Sequence, residues 1–192
     1  MADLNVEHMI EEVQANIKTG DAVKARLVLN HLGEIDKKSQ NRLLYELSRG
    51  DVVFTVPLLN YLLTEQKELA ATLPIVRETL ISNLIAYPEI LLKALADPEI
   101  QDKTVLIETA GELKFEEATA ALISLLAQTE DNGRIKLIVD TLGMIGDPEA
   151  INTLTDYLYS ADRDLIISAI HALGQVGTNT AMHRLAERMG TD

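Results

Sequence analysis

Two stretches of this 192-residue chain follow one pattern, and that repetition limits the folds open to it more than any other feature. Asp131 to Leu154 reads DNGRIKLIVDTLGMIGDPEAINTL, and Asp162 to Leu185 reads DRDLIISAIHALGQVGTNTAMHRL. Leu142-Gly143 aligns with Leu173-Gly174, Gly146 with Gly177, Ala150 with Ala181 and Leu154 with Leu185, always 31 residues apart. One unit earlier, Gly111, Ala118 and Leu122 stand 32 residues before Gly143, Ala150 and Leu154. A period of this length is one supersecondary unit, which cannot bury its apolar face alone and must stack on its neighbours.

Within each unit the apolar residues recur at helical spacing. Ile135, Ile138 and Leu142 form one stripe, and Ile151, Leu154 and Leu158 form the partner stripe. Ile166, Ala169, Ile170 and Leu173 repeat the first stripe in the last unit. Gly143 and Gly174 are expected at helix C-termini, in the left-handed conformation. Asp147-Pro148-Glu149 and Asp97-Pro98-Glu99 are expected to open helices, with Asp capping, Pro in the first turn and Glu complementing the dipole. Tyr87-Pro88-Glu89 keeps the last two members of that signal.

Upstream the repeat decays while the helical pairing continues. Leu73 to Ala86 pairs with Pro88 to Leu95, Lys37 to Arg49 with Val52 to Glu65, and Val6 to Lys18 with Ala22 to Leu32. Val52 to Val56 is the one strand-like run. Lying between helices with no partner strand nearby, it reads as helix.

Composition excludes several classes. With no Cys there is no disulfide framework, no thiolate nucleophile and no sulfur-based zinc site. The N-terminal MADLNVEHMIEEVQ is acidic where a signal peptide is basic, and Val52 to Leu63 is too short to span a bilayer. The expectation is a cytoplasmic protein with no membrane partner. A net charge of −13 disfavours nucleic acid as a partner. The charge is uneven: Asp97 to Asp162 holds 14 acids and 4 bases, a net of −10, whereas Lys18 to Arg49 holds 7 bases and 4 acids, a net of +3.

The motif of the last three units resembles the short HEAT-like repeat of the phycobilisome lyases. Leu142-Gly143-Met144-Ile145-Gly146-Asp147-Pro148-Glu149-Ala150 fits that pattern closely, Leu173 to Ala181 fits with Thr178 for Asp, and Gly111 to Ala118 fits loosely. The family often places an Arg early in the first helix of each unit, where this chain has Ile135 and Ile166. The resemblance implies an all-α fold, a right-handed α-solenoid of HEAT-like helical hairpins. We expect a single domain over 1–192, with an N-terminal hairpin cap at 1–35, divergent pairs at 36–96 and three clear repeats at 97–192.

The resemblance also implies a scaffold, adaptor or regulator. The iron-dependent hydroxylases of this architecture need His-Glu dipeptides, and none of His8, His31, His171 or His183 is followed by Glu. The DNA glycosylases of this architecture need a basic groove. No Ser-His-Asp spacing, phosphate loop or His-x-x-x-His motif is present. His8 with Glu7, Glu11 and Glu12 reads as a surface cluster rather than a metal site. Glu116-Glu117 and Asp162-Asp164 read as helix-opening acids rather than a catalytic pair. No cofactor, metal or catalytic residue is expected.

A protein-binding face is expected on the second helices, at Glu149, Asn152, Asp156 and Tyr157 in one unit and His183, Glu187 and Arg188 in the next. Exposed Tyr is enriched in interface hot spots, whereas Tyr45, Phe54, Tyr61 and Tyr87 are expected mostly in the core. The expected function is a non-catalytic scaffold whose acidic surface docks a basic or amphipathic protein segment. The alternatives are an accessory role of the phycobilin-lyase kind and head-to-tail self-association through the bipolar charge.

Overall fold

The computed structural model describes residues 6–190; the two ends of the expected 1–192 domain lie outside the described residues. The described residues form thirteen α-helices, three short 3-10 helices and no strand. In chain order the α-helices are α1 (Val6–Thr19), α2 (Ala22–Leu29), α3 (Lys37–Ser48), α4 (Val52–Glu65), α5 (Lys67–Ala71), α6 (Pro74–Ala86) and α7 (Pro88–Ala96). They continue with α8 (Thr104–Glu112), α9 (Thr119–Ala127), α10 (Asn132–Ile145), α11 (Ile151–Tyr157), α12 (Arg163–Val176) and α13 (Asn179–Met189).

Aspartates set many of the helix starts. Asp21, Asp36, Asp51, Asp131, Asp147 and Asp162 each accept a hydrogen bond from a backbone N–H of the first turn that follows. Each satisfies a donor that the helix leaves unpaired. Part of the acidic balance is therefore structural. Hydrogen bonding from the Ser39 side chain, with backbone N–H groups, holds the Asp36 carboxyl below its ordinary range. The Lys24 side chain does the same for Asp21.

The helices gather into two compact units. One holds the described residues up to Ile90 with Glu99–Asp102, and the other holds Leu91–Pro98 with the residues from Lys103 onward. In the first unit α1 packs on α2 and α3, and α4 packs on α2 and α6. Its core is leucine: Leu29, Leu32, Leu43, Leu47, Leu58, Leu59 and Leu62 are fully buried. The strand-like Val52 to Val56 is the start of α4, because Asp51 caps it and burial of Val56, Leu58, Leu59 and Leu62 outweighs β-branched propensity. Thr55 spends its hydroxyl on the Leu47 carbonyl (3.0 Å), tying α4 to the end of α3. The buried Gln40 donates to the Leu32 and Ile35 carbonyls, both at 3.1 Å, and so pairs the turn before α3.

The four aromatics expected in this core are not there. Tyr45 and Tyr87 are exposed, and Phe54 and Tyr61 are half-buried. Leucine fills the interior, and two of these rings lie at its edge under cations. Arg26 sits over Tyr61 at 5.5 Å and Arg49 over Tyr45 at 5.8 Å.

In the second unit α10 packs between α8 and α12, and α12 also packs on α11. Ile138, Val139, Leu142, Leu154, Leu158, Ala169 and Leu173 form its core. The expected stripe of the last unit is corrected here: Leu165, Ala169, Ala172 and Leu173 face inward, while Ile170 is exposed. The glycine reading also shifts by one turn. Gly143 lies inside α10 and Gly174 inside α12, and the left-handed residues are Gly146 (φ 80°) and Gly177 (φ 66°). Gly143 answers a different demand, close packing: a Cβ there would lie 2.5 Å from the Ala172 Cα. The position equivalent to Gly146 one repeat earlier is Lys114, which takes φ 48° without being glycine.

Asp97-Pro98-Glu99 does not open a helix. Pro98 and Glu99 form a turn and the next helix starts at Thr104. The segment is held by other means: Ile100 is buried, and Asn60 of α4 donates to the Asp102 carbonyl at 2.9 Å.

Candidate protein-binding groove

The second helices of consecutive repeats, α9 and α11, leave an open groove of about 360 Å³ between them. Ile123, Leu126 and Ala127 of α9 supply its apolar side. Thr153, Asp156 and Tyr157 of α11, with Ser160 beyond it, supply the other. Tyr157 is half-buried and Asp156 exposed, so the groove offers an aromatic wall beside a carboxylate. Burial pushes the Tyr157 phenol up from its ordinary value, and the neighbouring Asp156 charge adds to that. The phenol is therefore a neutral hydrogen-bonding group at physiological pH.

The structure brings Asp156 and Tyr157 together in this groove and leaves the other expected residues outside its lining. Glu149 and Asn152 are exposed on the turn and first residues leading into α11. The backbone N–H of Glu149 donates to Asp147 (2.9 Å). On α13, His183 and Arg184 both face Glu187, at 3.2 and 3.3 Å. That cluster is a surface arrangement of i,i+3 and i,i+4 pairs.

Arg188 has an internal task. Its Nε donates to the Leu158 carbonyl at 3.1 Å, and its guanidinium lies 5.5 Å from the Tyr159 ring centroid. One repeat on, the position of Ala127 is Tyr159 and that of Tyr157 is Arg188. Sequence reasoning overlooked the α9 side, Ile123, Leu126 and Ala127. The signal was available in the repeat register, which sets small Ala127 against large Tyr159.

Among the described residues, two further cavities lie in the first unit. One of about 560 Å³ is bounded by Lys18, Glu46, Arg49, Asp51 and Phe54, with charges of both signs. The other, about 200 Å³, lies beside Arg26, Asn60 and Tyr61. Among the described residues no group of three or more His, Asp or Glu side chains is arranged to hold a metal ion. His8 pairs with Glu12 at 3.6 Å on α1. Among the described residues no single helix is long and apolar enough to cross a membrane.

The sequence pattern of the HEAT repeats matches residues 88–174 and 136–192. No curated protein matches the sequence.

Proposed function

The chain belongs to the HEAT-repeat family, a class of repeats that generally mediate protein–protein interactions and are typically non-catalytic, and from that premise we propose a cytoplasmic scaffold or adaptor that docks a basic, amphipathic segment of another protein in the α9–α11 groove. The observation that carries this reading is the groove itself, an apolar trough of Ile123, Leu126 and Ala127 facing Tyr157 and Asp156. It lies within the span Asp97 to Asp162, whose net charge is −10. An apolar anchor of the partner would fill the trough and its cations would meet Asp156, with Glu149 outside the groove adding to the field.

A fluorescent Lys/Leu-rich amphipathic peptide tests the placement. Asp156→Lys is expected to weaken its binding about tenfold, and Ala127→Tyr to block it sterically. Binding should also fall with added salt, as exposed charges are screened. Affinity unchanged in both variants removes the partner from this groove. The accessory role of the phycobilin-lyase kind rests on the Leu142 to Ala150 motif; failure to acquire visible absorption on co-expression with a bilin overturns it.

A further inference from the structure

The cavity of about 200 Å³ in the first unit is lined by Arg26 and Asn60. Each carries one buried polar atom that is bonded to nothing among the described residues: Nε of Arg26, a donor, and Oδ1 of Asn60, an acceptor. Leaving such atoms unpaired away from water is costly.

The structure holds both side chains in place. Asn60 is 2% exposed, and its Nδ2 donates to the Asp102 carbonyl at 2.9 Å. Turning the amide over would set its oxygen against that carbonyl, so Oδ1 stays an acceptor in the lining. The Arg26 guanidinium lies 5.5 Å from the centroid of the Tyr61 ring, and the Tyr61 hydroxyl is fixed on Asn30 Oδ1 at 2.5 Å. A ring contact of that kind uses the charge of the guanidinium and none of its N–H donors. The same lining also carries the carboxylates of Glu65 and Glu99.

A ligand that answers this set needs an anionic acceptor for Arg26. Beside it, the ligand needs a donor for Asn60 whose positive charge suits the two glutamates. An α-amino acid carries both groups on one carbon. Size restricts its side chain, since pockets for drug-sized ligands run to about 300–1,000 Å³. Pro57 and Ile100 add apolar surface to the lining. We propose that this cavity binds a free α-amino acid with a small aliphatic side chain. Its carboxylate lies on the Arg26 guanidinium, and its ammonium lies on Asn60 Oδ1 in the field of Glu65 and Glu99. The inference is independent of the α9–α11 groove, because the site lies wholly within the first unit.

Isothermal titration calorimetry and thermal melting of the full chain with glycine, L-alanine and L-valine test it. At least one of the three is expected to bind saturably and to raise the melting temperature. Its methyl ester, which lacks the carboxylate, and its N-acetyl derivative, which lacks the ammonium, should each bind at least about tenfold more weakly. Arg26→Lys keeps the charge but loses the planar N–H edge, and should weaken binding about tenfold. Glu65→Gln changes an exposed residue, so helix content should hold while affinity falls about twofold to threefold. No saturable binding or melting shift with any of the three amino acids overturns the proposal and leaves the two buried atoms to solvent water. Equal binding of either blocked derivative overturns the zwitterionic ligand. Affinity indifferent to both variants overturns the placement in this cavity.

Discussion

Gly143 and Gly174 hold the same register in consecutive repeats and meet opposite surroundings. The first lies against the backbone of the next helix, and the second faces open space. The same contrast runs through Val139 and Ile170, and through Leu158 and Met189. A residue's energetic role in a repeat array is thus set by the neighbouring repeat as much as by its own sequence. Identical motifs predict identical local structure, and both helices do end at a left-handed glycine. They do not predict identical burial.

The largest expected effect separates Leu158 from Met189. Leu158→Ala removes a fully buried side chain and should cost about 2–5 kcal/mol of stability. Met189→Ala, at an exposed position, should change stability by less than about 0.5 kcal/mol. Chemical denaturation reads both. Equal losses would mean that Met189 is covered within one chain, and the contrast between the repeats would fall.

The two glycines give the next effect, with opposite signs. Gly143→Ala forces α10 and α12 apart and should destabilise by about 1–3 kcal/mol. Gly174→Ala replaces a helical glycine that has free space around it, and should stabilise the chain by up to about 1 kcal/mol. A Gly174→Ala chain that melts higher beside a Gly143→Ala chain that melts lower sharpens the comparison. Two glycine variants that change stability in the same direction would break it.

These contrasts also mark how far the sequence could be read. The helices of the second unit were legible because the 31-residue register repeats their apolar stripes, and the helix pairs of the first unit because their stripes and turn residues stand without it. The five-residue α5 was not, since one turn of helix shows no period. Helix starts were legible at Asp147 and Asp162, whereas Asp97 carried the same letters as Asp147 and failed, because burial of Ile100 decides the path there. In the groove, Asp156 and Tyr157 were legible as second-helix surface. Arg188 was not legible as an internal brace: its contacts with the Leu158 carbonyl and the Tyr159 ring are tertiary, and no spacing along the chain announces them.

A smaller effect tests whether the repeats share one helix ending. Lys114, Gly146 and Gly177 are equivalent positions after α8, α10 and α12, and all three have positive φ, at 48°, 80° and 66°. In that conformation a side chain crowds its own backbone, which costs an L-residue roughly 1–2 kcal/mol and glycine almost nothing. Lys114 is exposed, so its side chain returns little packing to offset the strain. Lys114→Gly should therefore stabilise the chain by about 1 kcal/mol, less whatever glycine's greater freedom in the unfolded state takes back. Gly146→Ala should destabilise it by a comparable amount. The pair is read best as a cycle, because the two sites end different helices and should act additively. If Lys114→Gly lowered stability instead, the first of the three repeats would end its helix by a different device from the other two. The lysine would then be held by a contact that outweighs its backbone strain.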